Sequence, residues 1–467
     1  MPIHPRTLLS WSCATLVTLV AFPLAAQTTP ETSPAFAQIL KRLDRLEQEN
    51  QQLTQEIRAL RAELAQSREP ATHPPASPAA SDSTHPADLA ERMDVQERRL
   101  EEQAQTKVES SQHFPIRITG MALFNAFLSS HPNEGLVVPV LAPSGDTALT
   151  GGATLRQTIL GLDFQGPEVF GGGKIHGFVN MDFFGGSGEP YDSLVRLRTA
   201  GIEVNWENTS IMFGQDKPLI SPREPNSLAQ VGLAPLTGAG NLWLWQPQAR
   251  VEQRFHLDDR TTFRAQAGVF ATREDYGYVP PAYSSSFESI RPAVQGRFSL
   301  AHSLDDDRRI EIGSGFSAST SHVTDVHVPS RVFALDWFAN PWRKLEFSGA
   351  FFRGSNLSNL GGIGQGFTIV TYGDVIPVHA SGGWAQMSFL ATPRLTFNFF
   401  GGEQDNRSRD LPLYSGLSSN ASYAGNLMYR LAPNVVLSLE SGQVRTNSLD
   451  TGRRLSNYHD LGIAYLF

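Results

Sequence analysis

The sequence predicts an antiparallel β-barrel that crosses a membrane, preceded by an α-helical coiled coil. Three observations carry this reading. From Phe114 onward the chain falls into short segments of period-two alternation. Tight turns between those segments alternate with long connections. Charged residues make up only 18% of the chain, yet mean hydropathy is −0.23. Outside the extreme N-terminus no apolar run approaches the roughly 18–20 residues of a membrane helix. A membrane protein without membrane helices must close its sheet, because only helices and closed barrels satisfy every backbone polar group in lipid. At 467 residues the chain also exceeds one ordinary soluble domain.

Residues 1–26 read as a secretory signal. His4 and Arg6 precede an apolar stretch from Leu8 to Phe22, and Pro23-Leu24-Ala25-Ala26 supplies small residues for cleavage. The single cysteine, Cys13, lies inside this signal, and Ser10 stands where a lipoprotein signal wants Leu. A mature chain without thiols excludes disulfides, thiol catalysis and cysteine-ligated metals.

Residues 27–68 carry a heptad seam. Phe36, Ile39, Leu43, Leu46, Asn50, Leu53, Ile57, Leu60 and Leu64 are spaced by alternating threes and fours, with Lys, Arg, Glu and Gln between them. A seam this narrow, sustained for about four heptads, fits a coiled coil better than a helix lying on a globular core. Asn50 at an a position fixes register, and the mixed Leu and Ile choices leave dimer and trimer both open. The segment is expected to oligomerise the chain. Residues 69–86 form a stiff Pro/Ala/Ser linker, and 87–113 a weak helical spacer with Leu89, Met93 and Leu100.

Residues 114–467 are the barrel. About sixteen strands are expected, near 116–128, 154–165, 173–184, 194–206, 209–216, 247–257, 260–272, 290–303, 307–320, 328–339, 343–354, 378–391, 394–405, 419–432, 434–446 and 456–467. Tight links such as Asp258-Asp259, Asn340-Pro341, Thr392-Pro393 and Pro433-Asn434 are expected to alternate strictly with long connections. Short periplasmic turns and longer external loops give a membrane barrel that pattern. Each strand has an apolar and a polar face. In 173–184, Ile175, Val179, Met181 and Phe183 oppose Lys174, His176, Asn180 and Asp182. Such a polar face suits a watery lumen and not a dry core. Trp206, Trp337 and Trp342 stand beside short turns, where an aromatic girdle meets the lipid interface.

One strand breaks the pattern. In 194–206, Arg196 and Arg198 share a parity with Ile202 and Val204, so either a bulge near Gly201 or a subunit interface over that wall is required. Parity places Arg117, Arg196, Arg198, Arg250, Arg254, Arg264 and Arg297 in the lumen with Lys174, Arg309, Lys344 and Arg430. The acids there are Asp163, Asp182, Glu252, Glu311, Glu346 and Glu440. This interior is more basic than a chain of formal charge −8, which favours anions. The long segment 217–246 carries Arg223 and Glu224 among Leu228, Val231, Leu233, Leu236 and Leu242, and is the candidate constriction loop.

The chain ends Asp460-Leu461-Gly462-Ile463-Ala464-Tyr465-Leu466-Phe467. With Gly462, Tyr465 and the terminal Phe467, it resembles the C-terminal assembly signal of bacterial outer-membrane barrels, which implies the barrel-assembly machinery as a partner. Gly161-Leu162-Asp163-Phe164 with Gly166-Pro167, and Val195-Arg196-Leu197-Arg198-Thr199-Ala200 leading to Phe213-Gly214-Gln215, are similar to early-barrel runs of the DcaP-like trimeric porins. The order coiled coil, linker, barrel resembles that family too. Thr199 stands where the family often shows His. The resemblance implies a homotrimer in the outer membrane of a Gram-negative bacterium, with its N-terminal arm in the periplasm. It implies passage of small, often anionic organic solutes such as dicarboxylates. Phosphate-selective porins rank second, because no dense Arg/Lys ladder is evident.

Other classes fit less well. An envelope tether reaching peptidoglycan through the coiled coil would need only a small filled barrel. His322, Asp325 and His327 lie in an expected external loop at a poor metal spacing, and Asp405 with Ser408 completes no triad, so no enzyme is expected. No cofactor, metal or nucleic-acid partner is expected either; lipid and lipopolysaccharide surround the barrel.

Overall fold

The computed structural model describes residues 116–132, 136–145, 147–186, 193–273, 290–323, 326–370, 374–412 and 416–467. The expected signal segment, the coiled-coil positions Ile39, Leu43, Leu46, Asn50, Leu53, Ile57, Leu60 and Leu64, the linker and the spacer lie outside the described residues.

The first strands are β1 (Ile116–Ser129), β2 (Thr150–Thr154), β3 (Ile159–Val169), β4 (Gly173–Gly185), β5 (Leu194–Asn205) and β6 (Thr209–Asp216). They are followed by β7 (Gln246–His256), β8 (Thr261–Arg273), β9 (Ile290–Ser303), β10 (Arg309–Val323), β11 (Val326–Trp342) and β12 (Leu345–Ser355). A small hairpin, β13 (Phe367–Ile369) and β14 (Val375–Pro377), stands apart from the main sheet. The last five are β15 (His379–Thr392), β16 (Leu395–Asn406), β17 (Leu417–Ala432), β18 (Val435–Ser448) and β19 (Gly452–Leu466).

Every barrel strand pairs antiparallel with its neighbours, and β19 pairs back onto β1. Both β2 and β3 pair with β1, so they are two halves of one strand, and the closed ring has sixteen members among the described residues. Closure rests on the last residue. Gly120 N–H donates to the Phe467 carbonyl at 2.9 Å and Phe467 N–H to that of Gly120 at 3.2 Å. A closed ring has no edge left to template aggregation.

Alternation sorts the side chains. Phe213, Val251, Val269, Phe298, Ile312, Phe333, Phe399, Leu439 and Ile463 point out and are exposed. Gln248, Gln295, Ser299, Ser330, Ser388, Asn398, Asn426, Ser438 and Ser456 point in and are buried. The apolar side therefore faces the surrounding medium, the inverse of a soluble sandwich. Phe170, Trp206 and Trp342 sit at the short-turn end. Those turns are held by their own side chains. At Asp305 the Arg308 guanidinium, with the backbone N–H groups of Asp307 and Arg308, keeps the carboxyl below its usual range.

The structure departs from the expected layout in three places. At the long-loop end β10 and β11 stay paired up to Val323 opposite Val326, and the connection 449–451 is tight, so the alternation of short and long links is not strict. The second strand breaks at 155–158, which sends Gln157 into the lumen. In β5 the bulge falls at Arg198 and not near Gly201. Leu197 faces Met181 and Thr199 faces Asn180, leaving Arg198 as the extra residue. The bulge repairs the parity without a covering subunit and turns Glu203 inward, opposite His176 and Met212.

Candidate pore and its constriction

The segment between β6 and β7, residues 217–245, lies inside the barrel. Its backbone and side chains meet inward-facing groups of β1, β5, β10, β11, β15, β17 and β18. Arg223 pairs with Glu311 of β10 and Asp336 of β11. Asn226 N–H donates to Gln386 at 2.6 Å, and Asn426 donates back to the Asn226 carbonyl at 2.8 Å. Gln157 clamps the next stretch, donating to the Ala229 carbonyl at 3.0 Å and accepting from Val231 and Gly232 N–H at 2.7 Å each.

The rest of the segment lies on apolar wall. Ile220 and Leu242 pack with Val332, Ala334, Phe352 and Leu360, while Leu236 and Ala239 pack with Trp384, Phe400, Val444 and Tyr458. Gly240 has φ +99 and rests on the backbone of Gly383 and Glu403, where an added Cβ would collide with carbonyl oxygens. Residues 137–142 also fold against the inner wall. Asn420 donates to the Val140 carbonyl at 3.0 Å, and Ala142 N–H donates to Thr446 at 2.8 Å. Sequence reasoning missed this second insertion, although the run Val137-Val138-Pro139-Val140-Leu141 was its signal.

The basic side chains divide into balanced and unbalanced sets. Arg297 is only 2% exposed, with Asp336 bidentate at 2.8 and 2.7 Å and Glu311 at 3.1 Å. Its assignment to the pore surface is therefore corrected: it is buried in a neutral network with Arg223, Glu311 and Asp336. Parity had not placed Asp336 inside. Arg223 faces the wall, and Glu224 pairs with Lys217 at 2.9 Å. Arg250 pairs with Asp216 at 3.1 Å. Arg117 stands opposite Asp163 near the short-turn end.

The unbalanced sets are two, each with two guanidiniums sharing one carboxylate. Asp182, wholly buried, accepts from Arg196 at 3.1 and 2.7 Å and from Arg198 at 2.8 Å. Both arginines also donate to loop carbonyls, Gly232 and Val231 respectively. They lie over the Trp245 ring at 5.3 and 4.6 Å. The bulge makes this possible by keeping Arg198 and Thr199 on the same side as Arg196. Glu252 stands 3.6 Å from Arg254 and 3.4 Å from Arg264, distances too long to engage every donor. Arg264 is 39% exposed and keeps donors free.

On β18–β19, Glu440 and Asp460 are directly opposed in register and are 3% and 5% exposed. Ser227 donates to Glu440 at 2.6 Å, Asn426 at 3.0 Å, Tyr458 at 3.1 Å and Gln230 at 3.2 Å. Asn125 donates to Asp460 at 3.0 Å and to the Leu228 carbonyl at 2.9 Å. Gly462, one row below, lets the Leu228 Cβ approach. Tyr465 and Phe467 face outward. Sequence reasoning had not placed Asp460 in the lumen. Beneath the loop at the short-turn end lies a cavity of about 290 Å³, lined by Asn226, Glu346, Ser388, Asn398 and Arg430.

No family model matches the sequence, and no curated protein matches it. Solved structures do. The outer-membrane channel DcaP of Acinetobacter baumannii superposes with a TM-score of 0.61 at 17% identity, over 75% of this chain and 97% of that one. The fold is that of the outer-membrane porins. The anion-selective porin from Comamonas acidovorans has a TM-score of 0.52 at 12% identity, covering 75% of this chain and 99% of that one. Pseudomonas putida OprB has 0.50 at 10%, covering 76% and 94%.

Proposed function

We propose that the chain forms a water-filled outer-membrane channel for small hydrophilic solutes with a preference for anions, organic acids such as dicarboxylates among them. The observation that carries this reading is the pairing of two guanidiniums to one carboxylate at Asp182 and again at Glu252. Each set keeps one positive charge in excess, the Asp182 set directly against the inserted loop. Guanidinium binds carboxylate and phosphate in bidentate fashion, and a low-dielectric wall focuses the field of uncompensated charge. The carboxylates of β18–β19 are covered by Ser227, Leu228 and Gln230, which removes them from contact with solute. The solved neighbour described as anion-selective fits this reading. On this reading the short turns face the periplasm, and the chain acts as a channel and not as an enzyme.

The test is the reversal potential across a planar bilayer under a salt gradient. Stepwise conductance with anion preference is expected, and replacing Arg254 and Arg264 with Gln should move that preference toward neutrality. Cation preference in the parent would overturn the charge assignment. Folded protein without conductance would favour a tether.

A homo-oligomer, a trimer by the family resemblance, is part of the same proposal. The outer wall of β16–β19 carries polar groups where lipid would meet apolar ones. Tyr423 accepts from Arg445 at 2.8 Å and donates to Gln443 at 2.9 Å; Gln443 donates to Asn457 at 2.7 Å. Polar side chains on a lipid-facing wall are destabilising by an amount that grows with depth. Below them a concavity of about 980 Å³ is lined by Phe397, Phe399, Gly425, Leu439 and Leu461. A second copy seated there would cover both features. Gly425→Phe, which fills the concavity, should dissociate the oligomer in native electrophoresis without unfolding the barrel.

A further inference from the structure

The strands β10 and β11 are consecutive in the chain and pair antiparallel to their ends. Val323 is opposite Val326, and His322 is directly opposite His327. What looks in sequence like two loop histidines at a poor spacing is therefore one cross-strand pair, with Cβ atoms about 4.5–5.5 Å apart. The two imidazoles lie parallel, 9° between planes, with centroids 4.6 Å apart. Their parity is that of Ile312, Phe316, Phe333 and Leu335, so they face away from the lumen. They stand three rows beyond the Phe316–Phe333 pair, past Ala318–Arg331 and Thr320–Pro329. That is roughly 20 Å further along the strand, beyond the apolar band and in reach of water.

We propose that His322 and His327 form a site for a borderline divalent cation, Zn²⁺ or Cu²⁺, at the outer tip of this hairpin. Neutral imidazole suits these ions, at about 2.0–2.1 Å for Zn–N. The stacked rings do not enclose an ion as they stand. Rotation about χ2 in each histidine turns one ring nitrogen of each toward a common point, which the short Cβ separation permits. Among the described residues no third His, Cys, Asp or Glu joins them. The opposite face of the same hairpin tip shows what binding would do. There Val323, Val328 and the neighbouring Val326 pack with Phe367, Ile369 and Val375 of the β13–β14 hairpin. A metal joining β10 to β11 would pin the tip that supports β13–β14.

The experiment is titration of the full chain in detergent with Cu²⁺ and Zn²⁺ by calorimetry, with electron paramagnetic resonance of the copper form. One ion per chain is expected, with a spectrum of two equatorial imidazole nitrogens, and acid should release it because ligating imidazoles must be neutral. His322→Ala and His327→Phe should each abolish this binding. The second variant keeps a stacked ring and so separates ligation from ring packing. A heat-shift gel confirms that each variant is folded. Absence of binding in the parent chain, or binding that survives both substitutions, would overturn the proposal.

Discussion

The two walls that grasp the inserted loop use opposite chemistry on neighbouring residues. On β18–β19 the wall offers carboxylates, and the loop answers with donors: the Ser227 hydroxyl and the Gln230 amide. On β5 the wall offers guanidiniums, and the loop answers with the Val231 and Gly232 carbonyls. The outcomes differ. Glu440 has four donors and is sealed beneath the loop. Arg196 and Arg198 share one carboxylate and keep charge in excess, and Arg254 and Arg264 repeat that ratio at looser distances. A buried charge with all its hydrogen bonds holds structure, whereas a partly exposed, undercompensated one is available to a solute. The acidic wall positions the loop; on the function proposed above, the basic wall faces the passing solute.

The sharpest way to break this division is at the neutral network beside it. Asp336→Ala leaves Arg297 buried with only Glu311 and Arg223 contesting the same carboxylate, at a cost of about 3–5 kcal/mol. Denaturant unfolding of the detergent-solubilised barrel measures it, and an unchanged midpoint would contradict the buried geometry. Gly240→Ala should cost about 1–3 kcal/mol through its positive φ. Because the strain falls on the loop, it should also enlarge single-channel conductance by lifting 238–241 from β15–β16. Glu440→Gln replaces an acceptor oxygen by a donor facing Ser227 or Asn426, for about 1–3 kcal/mol. Its signature should be flickering conductance without a change in ion preference, the reverse of the Arg254 and Arg264 variants. Tyr458→Phe, which removes one donor to Glu440, should cost only about 1 kcal/mol and leave conductance as it is.

Much of the barrel was legible because its signals are local. Alternation needs only neighbouring residues, and turn chemistry at Asp258, Asn340 and Pro433 marks ends independently of the partner strand. The inserted loop was legible in part, since Leu228, Leu236 and Leu242 are too apolar for an external loop. The cluster at Asp182 was not. Parity put Arg196 and Arg198 on the inner face but could not locate the bulge, because a single extra residue leaves no mark on composition. The same slip hid Glu203. Asp336 escaped because Phe333, Leu335 and Trp337 draw attention to the outer face of β11. His322 and His327 were set aside on linear spacing, which says nothing once antiparallel pairing brings positions five apart into register.

The amino-acid sequence by itself determined the period of the strands and, except in β5, which face of each is apolar and turned outward. These follow from side chains alternating on an extended backbone, a property of each segment alone. The tertiary structure decided which charges remain unsatisfied. Arg297 and Arg254 read alike in sequence, yet the first is neutralised by Asp336, which lies 39 residues away, while the second must share Glu252 with Arg264. Register across strands and the path of one inserted loop set those distances, and electrostatic effect depends on distance and burial more than on residue type.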